Sequence, residues 1–169
     1  MRKRSHPSRG NSMLEFLLVG IPILFILIST FEMGFGMWIY HGVGNAVREG
    51  TRYVIVHGSD CATPNSCQVT VAQIAAKIQA GAPGLDPSQF TLTLTPASGG
   101  ATSGTLSTLL TNSAIWPPSS ANTPGLTVTI SGTYPFQSIF TMLWTGVGRA
   151  QASTALFTLG ASSSDRMVF

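Results

Sequence analysis

The sequence predicts an α+β protein in which a long amino-terminal helix packs its second half on a small antiparallel β-sheet of about three strands. Three observations lead to this fold class. The first is an uncharged apolar segment from Phe16 to Phe31, which is long enough to form most of a membrane-spanning helix. The second is a polar stripe with helical spacing beyond that segment. The third is a pair of segments in which apolar and hydroxyl residues alternate, as in half-buried strands.

Residues 1–10 form a short basic leader that carries much of the positive charge. The formal net charge of the chain is +3, yet four of its nine Lys and Arg residues precede Gly10. From Asn11 onward, five Lys and Arg residues stand against six Asp and Glu residues. A nucleic-acid interface is therefore not predicted, since it would require a basic face on the folded domain.

Residues 11–40 are predicted to form a single transmembrane helix, because about 20 mainly apolar residues suffice to cross a membrane. This segment has no Lys or Arg, and its acidic residues are Glu15 and Glu32. Trp38 and Tyr40 fall where an interfacial aromatic belt is expected, and the basic leader stays cytoplasmic under the positive-inside rule. Glu32 is then expected at the membrane–water boundary on the side away from the cytoplasm, and the rest of the chain is expected to lie outside the cytoplasm.

Residues 41–57 are predicted to continue the helix beyond the membrane as an amphipathic segment. Polar residues at positions i, i+3, i+4 and i+7 share one face of this segment. They are Asn45, Arg48, Glu49 and Arg52. The three charged residues are either a solvated surface or a strip of ion pairs between subunits, and exposed pairs of this kind would set register more than stability.

Small residues also recur at every fourth position of this segment, at Gly42, Ala46 and Gly50. A stripe of small residues lets another backbone approach a helix closely. The stripe faces either a helix of another subunit or the sheet of the same chain.

Residues 58–169 are predicted to form an extracytoplasmic α+β head. A short helix is expected at Val71–Ala80, where Gly81 and Pro83 then stop it. Two strands are indicated by alternating apolar residues, one at Phe90, Leu92 and Leu94 and the other at Leu126, Val128 and Ile130. A third strand is expected at 150–159, and the Ser/Thr/Gly/Pro-rich residues 96–125 are expected to form a long surface loop.

Two further features of the head are its pair of cysteines and a strongly apolar segment. Cys61 and Cys67 are the two cysteines of the chain, and in an oxidising compartment they are expected to form one local disulfide. A zinc site is not expected, because it would need closer cysteine spacing and two more ligands. The apolar segment Phe136–Gly148 is either part of the core or an exposed docking patch for another subunit or the membrane.

No catalytic or cofactor site is predicted. Between Pro87 and Gly148 the chain contains no Asp, Glu, Lys, Arg or His, so acid–base catalysis lacks its usual groups there. His57, Ser59 and Asp60 are close in sequence, but a catalytic triad requires oriented geometry. We therefore expect a protein that is not an enzyme and that binds no metal or cofactor.

The most informative motif joins the leader to the apolar helix. Gly10 and Asn11 precede the helix, and Glu15 lies near its start. A carboxylate in an apolar helix is costly in lipid and usually has a partner. Cleavage after Gly10 would create an amino group on Asn11. That amine could reach Glu15 of a neighbouring subunit, since within one chain the helix holds the two residues roughly a turn apart.

The segment from Arg9 to Val56 resembles the TadE-like family of pseudopilins. These are minor, pilin-like proteins of the tight adherence (Tad, or Flp) branch of the type IV pilus superfamily. The matching pieces are RG followed by LEF, the apolar helix with Pro22, and NAVREGTRYVIV; LTVTISGTYPF (Leu126–Phe136) is also similar to the family's head. The resemblance implies a pilin-like fold, cleavage between Gly10 and Asn11 by a prepilin peptidase, and Glu15 as the assembly glutamate.

The function implied by this resemblance is structural. The protein would stay in the inner membrane until it enters, primes or decorates an adhesive Tad-type pilus. Its partners would be other pilin and pseudopilin subunits, the prepilin peptidase, the inner-membrane assembly platform and membrane lipid. Two alternatives remain: an uncleaved bitopic accessory subunit, and an exported adhesion module whose 96–125 loop contacts a surface or ligand.

Overall fold

The computed structural model describes residues 9–57, 67–138 and 157–168, with side chains from Ser12 onward. The elements in chain order are α1 (Arg9–Ile55), α2 (Val71–Ala80), β1 (Thr91–Thr95), β2 (Thr102–Thr105), α3 (Leu106–Leu109), β3 (Thr127–Phe136) and β4 (Phe157–Arg166). The predicted α+β class is confirmed. The chain divides into two units, Met1–Gly36 and Met37–Phe169, so α1 contributes to both. We call the α1 residues up to Gly36 the stem and the described residues from Met37 the head.

The head part of α1 is amphipathic, as the spacing predicts. Its core-facing residues are Ile39, Val43, Ala46, Val47, Gly50, Thr51 and Val54, all of them buried. The four residues of the predicted polar stripe are exposed. The helix ends at Ile55, whose carbonyl accepts a hydrogen bond of 3.0 Å from the backbone N–H of Val168. The carboxyl-terminal segment thus satisfies one of the free carbonyls that every helix end presents.

Helix α2 has the predicted bounds and a complete capping box. The Thr70 hydroxyl accepts from the Gln73 N–H at 3.3 Å, and the Gln73 side chain accepts from the Thr70 N–H at 2.9 Å. The N–H groups of Val71 and Ala72 donate to the carbonyls of residues 114 and 112, each at 2.9 Å. The first turn of α2 is therefore tied to a segment forty residues further along the chain.

The sheet is antiparallel with strand order β2-β1-β3-β4. Leu92 of β1 lies between Gly104 of β2 and Gly132 of β3, and all ten residues of β4 pair with β3. A Cβ built on Gly132 would lie 3.0 Å from a Val47 methyl carbon and 2.7 Å from Cε2 of Phe90. The head part of α1 therefore packs directly on β3, where only glycine leaves room.

The prediction of a surface loop over residues 96–125 is wrong in its central part. This segment contributes β2 and α3, and its buried residues are Pro96, Leu106, Leu109, Trp116, Pro117, Ala121 and Asn122. The sheet consequently has four strands rather than about three. Strand β2 has the sequence TSGT, which contains no apolar residue to alternate. Backbone hydrogen bonds to β1 hold this strand in the sheet, and an alternating pattern of apolar residues cannot indicate a strand of this kind.

The strand expected at 150–159 is found later in the chain, as β4 from Phe157 to Arg166. Residues 150–156 lie outside the described residues, as does most of the apolar segment Phe136–Gly148. Its first residue, Phe136, is buried and stacks on Phe157 with ring centroids 4.9 Å apart. That contact favours a core position for the start of the segment.

Candidate assembly interface

The stem is apolar, and most of its described residues are exposed. In the parts of the chain that the structure describes, one helix is long and apolar enough to cross a membrane, and none of its most apolar 18-residue window is buried. Between Phe16 and Phe31, every large apolar side chain except that of Ile28 is at least half exposed. A helix that serves as the core of a soluble domain would instead be buried. The stem therefore fits a single-pass membrane protein.

The motif residues Gly10, Asn11 and Glu15 all lie within α1. The side chain of Asn11 lies outside the described part, whereas Glu15 is exposed on the apolar stem. In a helix, four residues correspond to about 6 Å along the axis, and they return to nearly the same face. Glu15 is thus a carboxylate on the exposed surface of the apolar stem, about one turn from the expected cleavage position.

Arg48, Glu49 and Arg52 form a strip on the exposed face of the head part of α1. Among residues 9–57, 67–138 and 157–168, no ion pair involves any of the three. Their positions are compatible with both alternatives left by the sequence, a solvated surface and a strip of contacts between subunits. Whichever holds, the three side chains are available to a partner.

The small-residue stripe faces the protein's own head at two of its three positions. A Cβ on Gly50 would lie 2.5 Å from Cγ1 of Ile78 in α2 and 3.5 Å from Cδ1 of Ile130 in β3. Ala46 is fully buried, and its Cα would be 3.1 Å from a Cβ on Gly81. Ala46 and Gly50 thus permit close packing of α1 on α2 and the sheet, and only Gly42 has no neighbour within 4 Å.

The end of α1 carries a small aromatic and cationic cluster. His57 Nδ1 lies 2.6 Å from the carbonyl of Tyr53, and the two rings are 4.3 Å apart. Lys77 of α2 places its ammonium 5.3 Å from the centre of the Tyr53 ring. Ser59 and Asp60 lie outside the described residues, and the described cluster consists of Tyr53, His57 and Lys77. It joins the end of α1 to α2 through an exposed cation–π contact, typically a weak one.

Cys67 is disulfide-bonded, and Cys61, the other cysteine of the chain, lies outside the described residues. The pairing of the two remains a prediction. Within the described ranges, no group of three or more His, Cys, Asp or Glu residues could hold a metal ion.

Asp86 stands out electrostatically, in the turn that leads into β1. A hydrogen bond of 2.7 Å from the Ser88 hydroxyl, and a second of 2.9 Å from the Ser88 N–H, hold the pKa of Asp86 below its ordinary value of 3.8. These bonds favour the charged carboxylate. Because Asp86 also caps the turn around it, we interpret it as a structural residue.

Sequence reasoning missed a cleft of about 610 Å³ between α1 and the edge strand β4. It is lined by Tyr40, His41, Gly44, Asn45 and Arg48 on the helix and by residues 160–162 on the strand. Asn45 donates from Nδ2 to the Gly81 carbonyl at 3.2 Å, which fixes its side chain. The strand side of the cleft could not be anticipated, because the GASSS run of β4 lacks an apolar pattern.

The described residues thus combine an apolar amino-terminal helix, which fits a single-pass membrane protein, with a continuation of that helix that packs on a small antiparallel sheet. Residues 10–52 match the family model of TadE-like proteins, so the resemblance is confirmed and the chain is TadE-like over this segment. No curated protein and no solved structure gives a significant match to the chain.

The matched segment contains the motif residues Gly10, Asn11 and Glu15, the whole stem, and the charged strip as far as Arg52. The sheet and α2 lie beyond it. TadE-like proteins are associated with the Tad pilus and are structural rather than catalytic. The match therefore supports a general association of the chain with the Tad pilus.

Proposed function

We propose that the protein is a pseudopilin that a prepilin peptidase cleaves between Gly10 and Asn11 and that acts in assembling, priming or decorating a Tad/Flp-type adhesive pilus. The observation that carries this proposal is the TadE-like match over residues 10–52, on a helix whose apolar side chains are exposed. An exposed apolar helix of this length needs either lipid or other apolar helices around it. Assembly moves the stem from the first environment to the second.

The orientation follows from the leader. Its cations are Arg2, Lys3, Arg4 and Arg9, and the positive-inside rule keeps them in the cytoplasm. The stem then spans the inner membrane, and the head lies outside the cytoplasm. A Cys61–Cys67 disulfide is consistent with that side of the membrane, where disulfides form and persist.

The proposed mechanism uses Glu15 to set the stagger between subunits. Placed at the centre of a bilayer, a carboxylate costs about 2.5–3.5 kcal/mol. Removal of the leader gives Asn11 a cationic amine, which does not easily meet Glu15 of its own chain because the helix separates the two residues by about 6 Å along the axis. A neighbour displaced by about that distance brings its amine level with the carboxylate, and the pair compensates both charges.

The strip of Arg48, Glu49 and Arg52 would then act as a second register point outside the membrane. The strip contains charges of both signs, so a neighbouring copy can meet it favourably in some staggers and unfavourably in others. Because exposed ion pairs contribute about 1 kcal/mol or less, the strip would select a register rather than hold the filament together.

Glu15→Gln tests this mechanism, with Glu32→Gln as the matched control that removes the other carboxylate of the apolar helix. Loss of one partner of a desolvated ion pair costs about 3–5 kcal/mol. The amount of E15Q protein recovered in sheared pili should therefore be at least about tenfold lower than that of the wild type. The E32Q protein should be incorporated like the wild type. Immunoblots of the membrane fraction should show equal amounts and equal leader removal for all three proteins. Incorporation of E15Q at the wild-type level would refute the role of Glu15.

A further inference from the structure

We propose that the cleft between α1 and β4 binds the phosphate-bearing headgroup of an anionic membrane lipid, with Arg48 as the principal ligand. This inference goes beyond the proposed function, because it requires neither leader cleavage nor pilus assembly. It rests on the shape of the cleft, on its charge and on its place in the chain.

The shape follows from the residues that β4 presents to the helix side of the sheet. Val47 packs against β3 at Gly132, and the β4 residue opposite Gly132 is Ala161. Ser163 lies opposite the buried Ile130 and so faces the same side. Because these β4 side chains are small, the helix rests on β3 and leaves a cleft of about 610 Å³ over the edge strand. Clefts of about 300–1,000 Å³ are typical of small-ligand sites.

The charge of the cleft favours an anion. Arg48 and His41 line it, and none of its lining residues within the described ranges is acidic. Glu49, the nearest acidic residue on the helix, does not line the cleft, and its Cβ would be 3.5 Å from a Cβ on Gly81. Asp165 is on the same side of β4 as Ser163, opposite the buried Val128, but it does not line the cleft, and its carboxylate accepts a hydrogen bond from the Arg166 N–H at 2.8 Å. A guanidinium in such a place is suited to bidentate binding of a phosphate.

The place of the cleft in the chain selects lipid as the source of that phosphate. Tyr40, at one end of the cleft, is the last residue of the apolar amino-terminal segment. Trp38 and Tyr40 are half exposed, as aromatic residues of an interfacial belt are. Arg48 follows Tyr40 by eight residues, about 12 Å along the helix. A cation at this distance from the end of a membrane span is within reach of lipid headgroups, and it can form charge-assisted hydrogen bonds with the phosphate of an anionic headgroup.

The test uses the full-length protein in dodecyl maltoside micelles, with equal amounts of dioleoyl-phosphatidylglycerol and dioleoyl-phosphatidylcholine added. Native mass spectrometry then counts the lipids retained by the wild type and by the variants. Arg48→Gln should reduce phosphatidylglycerol retention at least about tenfold, because it removes charge-assisted hydrogen bonds. Arg52→Gln is the matched control, since Arg52 is one helical turn away and does not line the cleft; this protein should retain the lipid.

A second pair of variants changes shape without changing charge. Gly44 lines the cleft and Gly42 does not, and a Cβ on either would meet no atom within 4 Å. Gly44→Leu should therefore fold normally, occupy the cleft and reduce lipid retention as strongly as R48Q, whereas Gly42→Leu should not. Equal losses for R48Q and R52Q would indicate diffuse attraction by the charged strip and would overturn the proposal.

Two further outcomes would also refute a lipid site. If 10 mM inorganic phosphate displaced phosphatidylglycerol from the wild type, the cleft would be a site for free anions. If R48Q abolished a dimer of the protein while leaving lipid retention unchanged, the ligand of Arg48 would be a carboxylate of a second copy. The proposal predicts retention in phosphate and no effect of R48Q on the oligomeric state in micelles, since the register contacts proposed for the charged strip belong to the assembled pilus.

Discussion

Replacement of Gly50 by alanine tests whether the head part of α1 is packed as closely as the structure indicates. An added Cβ would lie 2.5 Å from Cγ1 and 2.8 Å from Cδ1 of Ile78, a side chain that is completely buried. Ile78 cannot easily turn away, because β-branched residues in helices strongly prefer one χ1 rotamer. Overpacking of this kind costs about 1–3 kcal/mol, whereas alanine gains about 1 kcal/mol over glycine in helix propensity. We expect G50A to destabilise the head by about 1 kcal/mol.

Gly44→Ala is the matched control, since it makes the same change in the same helix with no atom within 4 Å of the new Cβ. It should stabilise the head by about 1 kcal/mol through propensity alone. For a unit of this size we expect the Tm to fall by about 4 °C in G50A and to rise by a similar amount in G44A. Thermal unfolding of the full chain in detergent, followed by tryptophan fluorescence, measures both shifts because Trp116 is buried in the head.

A double variant attributes the effect to Ile78. Ile78→Ala alone should cost about 2–5 kcal/mol through loss of buried apolar contacts and the cavity left behind. In the G50A background the cost should be smaller by at least about 1 kcal/mol, because the added Cβ no longer meets the isoleucine. Additive costs, or a G50A protein as stable as G44A, would show that α1 does not approach α2 at Gly50.

Three further predictions concern the rest of the head. Asp86 has a lowered pKa in the folded state, so its ionised carboxylate stabilises the head at pH values above its ordinary pKa of 3.8, and this stabilisation is lost as the pH falls through the lower folded value. Unfolding measured between about pH 5 and 2 should show this pH-dependent loss of stability in the wild type. The loss should be smaller in Ser88→Ala and absent in Asp86→Asn. Reductant should lower the stability of the head by about 2 kcal/mol if Cys61 and Cys67 close a short loop, and should leave a C61S/C67S variant unchanged. Gly84→Ala should cost about 1–2 kcal/mol in chemical unfolding, because Gly84 has a φ of +85°, which disfavours any residue with a Cβ.

The sequence predicts those elements in which a regular spacing of apolar side chains marks one face as buried. The polar stripe of α1, the bounds of α2 and the alternating residues of β1 and β3 all reflect one buried face. Strands β2 and β4 carry few large apolar residues, with TSGT in one and GASSSD in the other. They join the sheet through backbone hydrogen bonds to neighbours far away in sequence, so local patterns give no sign of β2 and place β4 too early in the chain.

The functional residues divide in the same way. Gly10, Asn11 and Glu15 could be selected from the sequence because a charge in an apolar helix is expensive and its position relative to the leader is informative. The cleft beside Arg48 could not, because its second wall is β4, more than a hundred residues further along the chain. The sequence leaves Ala46 and Gly50 facing either a helix of another subunit or the head of the same chain. The closeness of Gly50 to Ile78 and Ile130 favours the second arrangement.

Intact-mass spectrometry of the protein from its native membrane, with and without reductant, tests the central claim most directly. The pseudopilin account predicts a chain that begins at Asn11 and lacks residues 1–10. Before reduction, that chain should be lighter by the two hydrogens lost in a Cys61–Cys67 disulfide. A Gly10→Leu variant should keep its leader, while Gly20→Ala, a glycine change with no atom within 4 Å, should be processed normally. A wild-type chain that retains residues 1–10 in cells with an active prepilin peptidase would contradict the account and indicate an uncleaved membrane accessory subunit.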